Sequence, residues 1–477
     1  MIGIGWAVAD PLYCWGMTPQ VTDPAAPAAT APIGRAGPRR LPYGSAAVLS
    51  VIYTAYSLLR HARLGSAAFD LGIFDQAVRA YSHGKAPIVP LKGPGYNLLG
   101  DHFHPVLAVL APFYRLWPDA RMLLVAQALL LGLSVLPIAR LAMTRLGRVA
   151  GSAVVVAYGL SFGLQGMLGF DFHEVAFAVP LMAFAMVALA EERWRAAALW
   201  TLPLLLVKED MGLTVAAIGF YLLLKRQRRA GVGLIAAGAV VLALAMFVVI
   251  PHFSPNGTYR YFGQLDGDHG GALSGLFTQP GKLLLPFLLL AITGFAALRS
   301  PLLIVALPVV AYRLDSANPH YWSVTTVHYN AMLMPIVFVA LVDALPKLPR
   351  AYARAVPAGV LVIALALLPR FSLWHLAHPG FYRTSGHVTA ARHVMAEIPD
   401  GASVAASDYL APQLTDRCTV ILFPDLYRRA ADWIVVDTTR PGGVHSTPAE
   451  QLADVRALPS QGYRQVAAAD GVLLFRR

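Results

Sequence analysis

Three short motifs hold most of the residues in this chain that could carry chemistry. They are Phe69-Asp70-Leu71-Gly72-Ile73-Phe74-Asp75-Gln76, Gly100-Asp101-His102-Phe103-His104-Pro105 and Phe170-Asp171-Phe172-His173-Glu174. Carboxylates and imidazoles move protons near neutral pH, and they hold divalent cations. Asp70 and Asp75 are candidate general bases; the competing roles are a helix cap for Asp70 and plain solvation for Asp75. Gln76 stands beside them as a candidate substrate contact. Alternate residues of an extended segment share a face, so His102 and His104 could meet one cation or one phosphate. A divalent metal would need more ligands, and the candidate set is Asp101, His104, Asp171 and His173.

Later clusters repeat these residue types. Lys208-Glu209-Asp210 could set an ammonium against a lipid phosphate with acids beside it, or could be a self-neutralising loop. His173 and Glu174 enter a predicted span, where an ionisable group is costly unless it is used. Asp171 before them fits a helix N-cap. His320, Tyr321 and His328-Tyr329-Asn330 flank another span end, as ligand contacts or as interfacial packing. The candidate substrate contacts are therefore Gln76, Asp101, His102, His104, His173, Glu174, Lys208, Glu209, Asp210, His320 and His328.

The elements that must position these residues are membrane helices. The 477 residues are 57% hydrophobic and 13% charged, with mean hydropathy +0.57. Soluble domains carry roughly 25% charged residues. A deficit spread along the chain implies repeated spans, here about eleven, in a mostly α, polytopic bundle. The net charge of +12 comes from short basic loops, the signature of cytoplasmic loops rather than of a nucleic-acid surface. Nucleic acid is not an expected partner. Cys14 and Cys418, predicted on opposite sides of the membrane, give neither a disulfide framework nor a cysteine metal site.

Residues 1–42 read as a disordered cytoplasmic tail with prolines at 19, 24, 27, 32, 38 and 42. No basic n-region precedes the first apolar residues, so no signal peptide is expected, and Met17 is an alternative start. A transmembrane domain over 43–371 begins with a span at 43–59, and its outer loop, 61–104, carries the catalytic candidates. In that loop Leu71, Phe74, Val78 and Tyr81 recur at helical spacing, which predicts an amphipathic helix on the outer membrane surface. Residues 105–117 are too few to span. Asp119 caps the next span, at 120–139, and others are expected at 149–167, 172–190, 194–207, 211–224, 230–250, 282–298, 301–313, 327–345 and 353–369. Every second loop is basic, which places the N-terminus inside and the C-terminus outside the membrane. The other loops, including 251–281 with Asp266, Asp268 and His269, share the outer face with the three motifs. Residues 384–477 read as a small soluble extracytoplasmic α/β domain, with strands near 403–406, 419–423, 433–436, 463–467 and 472–475.

The three motifs resemble a family of bacterial multi-pass membrane proteins related to the GT-C superfamily of integral-membrane glycosyltransferases, over roughly 69–370. The resemblance implies a polyprenyl-phosphate sugar donor, an outer-face active site, an essential acid in the first outer loop and a soluble outer domain. It points to Asp70 as that acid, with Asp75 as the second choice. The family's acids are adjacent or nearly so, whereas these two stand five apart.

The leading expectation is transfer of a sugar from a polyprenyl-phosphate donor to an envelope glycan, lipid or protein acceptor, with membrane lipid as the surroundings. A lipid or solute transporter is the alternative from another class, but it should carry polar groups near mid-membrane and inverted repeats. Here the clusters sit at span ends on one face. A non-catalytic envelope scaffold would not need so many acids and histidines.

Overall fold

The computed structural model describes residues 40–261, 279–316, 318–325 and 327–477. Expectations for the N-terminal tail up to residue 39, and for Asp266, Asp268 and His269, lie outside the described residues.

The chain is mostly helical. Among the described residues, five helices are long and apolar enough to cross a membrane: Ala120–Leu146, Arg148–Phe170, Arg228–Phe253, His328–Lys347 and Arg350–Arg370. Glu174–Ala190, Trp194–Leu206, Met211–Leu224 and Pro280–Ala291 match four further expected spans but are shorter than the ~20 residues a perpendicular crossing needs. The span expected at 43–59 is helix α1, Leu41–Ala62. Residues 105–117 form a short 3-10 turn and a short helix, as their length required. Asp119 does cap its helix, accepting a hydrogen bond from the Arg121 backbone N–H at 2.7 Å. One apolar core, from Leu49 to Leu373, joins these helices, and His328–Lys347 lies deepest in it.

The C-terminal region forms a five-stranded sheet: β1 Ser403–Ala406, β2 Thr419–Leu422, β3 Trp433–Asp437, β4 Arg464–Ala469 and β5 Val472–Arg476. The strand order is β2-β1-β3-β5-β4. β1 runs parallel to β2 and β3, while β5 pairs antiparallel with β3 and β4. The parallel strands read as nearly continuous apolar runs because both faces are covered.

The amphipathic helix is where the structure departs most from expectation. Helix α2, Ile73–Ser82, is not a surface helix, and its polar residues Asp75 and Gln76 are buried. Leu71, Phe74, Ala77 and Val78 share one core with Val388, Val404, Leu410, Leu414 and Leu474 of the sheet domain. Gln76 Nε2 donates to Val420 O at 2.8 Å, and Gln76 Oε1 accepts from Leu91 N at 3.1 Å. Arg79 donates to Thr415 O at 2.8 Å and to Cys418 O at 3.0 Å. Gln76 and Arg79 of α2 thus face the carbonyls of a second domain rather than water.

Candidate active site

The residue from which the site is built is Asp70, in the irregular turn Ala68–Gly72 that precedes α2. It does not cap α2: the N-cap position of that helix is Gly72, and no side-chain cap bond forms. Two other carboxylates hold the backbone just before it. Asp171 Oδ2 accepts from Ala67 N at 3.1 Å, and Asp408 Oδ1, from the sheet domain, accepts from Ala68 N at 3.0 Å. Asp171 also pairs with Arg60 at the end of α1. Asp171 is therefore not an N-cap. It ends the preceding helix with φ +85°, a conformation L-residues rarely adopt, and its side chain anchors the Asp70 turn. Gln127 braces this segment by donating to Asp171 O at 2.8 Å and accepting from His173 N at 3.0 Å.

Around Asp70 the other motifs converge. One ligand atom each of Asp70, His173 and His328 lies within 4.8 Å of the others. The His173 and His328 rings stack with centroids 3.4 Å apart. Glu174, fully buried, has Oε2 2.6 Å from His173 Nδ1 and Oε1 3.4 Å from Lys208 Nζ. Lys208 also lies over the Tyr329 ring at 5.9 Å. Next to this group, His102 Nδ1 is 2.6 Å from Glu209 Oε1, and the second Glu209 oxygen accepts from Phe103 N at 3.0 Å. Tyr261 stacks on His102 at 4.7 Å and donates to Asp101 at 3.1 Å. Asp101 is ion-paired with Lys92, and Arg260 stands 4.0 Å away.

Burial is the largest effect on Asp70 and pushes its carboxyl above the ordinary range; His173 opposes the shift and Glu174 adds to it. For Asp101, burial also acts upward, but Lys92 and His102 override it and hold the carboxyl well below its usual range. A raised carboxyl suits a proton acceptor working near neutral pH, and a depressed one suits a permanent anion.

Several expected residues fall elsewhere. Asp75 is fully buried on the opposite side of α2 and faces the hydroxyls of Tyr114 and Thr415, neither in good hydrogen-bond geometry. It is neither solvated nor part of the Asp70 group. Gln76 holds backbone, as described. His104 is buried edge-on against Phe74, ring centroids 6.0 Å apart. His320 is exposed, so it does not join the cluster. Asp210 lies near Lys208 and Glu209, with Oδ1 buried and no hydrogen-bond partner among the described residues. Of the four expected metal ligands only His173 belongs to the Asp70 trio; Asp101 and Asp171 are ion-paired with Lys92 and Arg60.

Sequence reading missed Arg60, Lys92, Gln127, Tyr261, Arg313 and Asp408. Arg313 is buried and donates to Tyr329 O at 2.6 Å. Only Tyr259-Arg260-Tyr261, a basic residue between aromatics, carried a local signal. The others are single polar residues whose partners lie far away in sequence.

Helical spans, a charged cluster at their ends and an appended sheet domain define a polytopic membrane protein. The fold matches two crystal structures of ArnT from Cupriavidus metallidurans. One is bound to undecaprenyl phosphate (TM-score 0.56) and the other is in the apo state (TM-score 0.58). Each match has 14% identity and covers 91% of this chain and 97% of that chain. Over residues 60–474 the chain belongs to the predicted membrane protein family DUF2079. No curated protein matches it.

Proposed function

We propose that the protein is an integral-membrane glycosyltransferase. It takes a sugar from a polyprenyl-phosphate donor and passes it to a cell-envelope acceptor on the outer face of the bacterial cytoplasmic membrane. The observation that carries this reading is the convergence of Asp70 with Lys208, His102 and their paired acids at one end of the helical bundle. An ArnT structure with the same fold holds undecaprenyl phosphate, which supports a lipid-phosphate ligand here.

In this reading the acceptor hydroxyl attacks the anomeric carbon of the donor sugar. The bond between that carbon and the phosphate oxygen breaks, and polyprenyl phosphate leaves with the bonding pair. Asp70 takes the hydroxyl proton, a role typically worth about 10²–10⁴ in rate. Lys208 offsets the charge that grows on the leaving phosphate. The C-terminal sheet domain belongs to the outer face, where it carries Asp408 to the Asp70 turn.

Two measurements test this. Proteoliposomes holding the purified chain and radiolabelled polyprenyl-phosphate sugars, with a membrane extract as acceptor, should release polyprenyl phosphate. No release from any donor in the presence of extract would overturn the reading. In intact cells a cysteine replacing Ser446 should react with an impermeant thiol reagent, while one replacing Gln227 should not. The reverse pattern would move the site to the cytoplasm.

A further inference from the structure

We propose that Asp70, His173 and His328 bind one divalent transition-metal ion of the zinc or cobalt kind. The three residues come from distant parts of the chain, yet one ligand atom of each falls within 4.8 Å of the others. Bonds of about 2.0–2.2 Å to zinc hold ligand atoms roughly 3–3.5 Å apart, so small side-chain rotations close this trio around an ion.

The histidines supply the stronger argument. His328 is 2% exposed, and neither of its ring nitrogens has a hydrogen-bond partner among the described residues. A buried imidazole without partners costs free energy that a metal bond recovers. Its ring lies almost flat on His173, with 21° between planes. Two imidazoles so close repel each other if both carry a proton, whereas both can be neutral and share a cation.

The surroundings fit a ligand shell. Glu174 Oε2 is 2.6 Å from His173 Nδ1, though out of line for a hydrogen bond, and a modest turn of the ring aligns the two. That contact leaves Nε2 as the nitrogen for the ion, the usual arrangement of carboxylate, histidine and metal. Lys208 holds Glu174 from the other side. The backbone positions are set independently. Gln127 fixes His173 N, and two glycines let the Phe162–Phe170 helix press against the segment around His328. A Cβ on Gly166 would meet Val327 O at 2.9 Å, and one on Gly163 would meet Asn330 O at 2.6 Å.

The donor set selects the ion. Two imidazoles and one carboxylate favour zinc, cobalt and their neighbours over magnesium or calcium, which prefer all-oxygen shells. Ligation through one carboxylate oxygen leaves the second Asp70 oxygen free to accept a proton. The site thus shares Asp70 with the proposed transfer reaction, but binding of the ion does not depend on that reaction.

The test is metal binding by the full chain in detergent, stripped with chelator, then titrated with Zn²⁺ and separately with Co²⁺. One equivalent of zinc should bind, Co²⁺ should give visible ligand-field bands, and Mg²⁺ should not displace either ion. H328Q and D70N should each weaken zinc by about 10-fold or more, Glu174→Gln by about 10–100-fold, and D101N by less than about twofold. At one zinc concentration the unfolding temperature of the wild type should also rise more than that of D70N. Failure to bind stoichiometric zinc overturns the proposal. So does wild-type zinc affinity in H328Q or, if that variant does not fold, in D70N. None of these readouts uses sugar transfer, so a failed metal site and a failed glycosyltransferase reading give different results.

Discussion

Asp70 and Asp75 stand five residues apart in one motif, yet the structure places them in two unlike environments. Asp70 faces His173, His328 and the Lys208 group. Asp75 faces Tyr114 and Thr415, between the short helix Ala111–Leu116 and the sheet domain. The Phe74 ring fills the space between the two regions, packing against Phe172 and His173 at 5.6 and 5.2 Å. Asp70 stands in the irregular turn before α2 and Asp75 in the first turn of α2, so one short segment offers one acid to chemistry and the other to a domain junction. Burial raises both carboxyls, and that alone does not tell a functional acid from a structural one. The neighbours do: one acid sits among cations and imidazoles, the other among hydroxyls and further acids, Asp416 and Asp119.

The sharpest way to break this contrast is D70N. Transfer activity should fall by about 10²–10⁴ while the unfolding temperature holds, since Asn keeps the shape and Asp70 makes no cap bond. Full activity in D70N, measured as polyprenyl phosphate released per folded protein, would remove Asp70 from the chemistry.

The other side of α2 should respond in stability instead. Replacing Gln76 by Ala leaves Val420 O and Leu91 N buried without their partner. The cost is about 1–3 kcal/mol, read as a lower unfolding temperature with turnover per folded molecule unchanged. A loss of turnover without a loss of stability would return Gln76 to the substrate.

The remaining effect concerns pH. Burial first of all, with Asp416 and Asp119 adding, raises Asp75 to about 7 against an ordinary value of 3.8. Between those two values the folded chain binds more protons than the unfolded one, so the Asp75 contribution to stability is lost as pH rises through that window and stays lost above it. The slope is at most about 1.4 kcal/mol per pH unit. D75N should flatten this part of the profile and be more stable than the wild type at pH 8. Equal pH profiles for the two proteins, from thermal unfolding in detergent, would show that Asp75 is not held neutral by burial.

How much of this was legible follows from what each signal reports. Long apolar runs must bury their backbone polar groups internally, so their helical state and rough limits can be read from the chain, as at Ala120–Leu146 and His328–Lys347. Short strand-forming segments bounded by turn residues likewise marked all five strands of the C-terminal sheet. Grouping Asp70, His173 and Lys208 on one face was also within reach, because polar clusters at span ends are costly unless used. Periodicity, however, says only that one face of α2 is apolar. It cannot say whether the other face meets water or the carbonyls of Val420, Thr415 and Cys418, more than 330 residues further along. Capping preference equally suggested a local job for Asp171, which instead holds Arg60 and the backbone before Asp70. By itself the sequence determined the elements and the face on which chemistry collects, since these follow from local hydrophobicity and charge. Only the tertiary structure decided which acid faces that chemistry and that His328, rather than His320, completes the trio, because those choices depend on contacts between segments that nothing local couples.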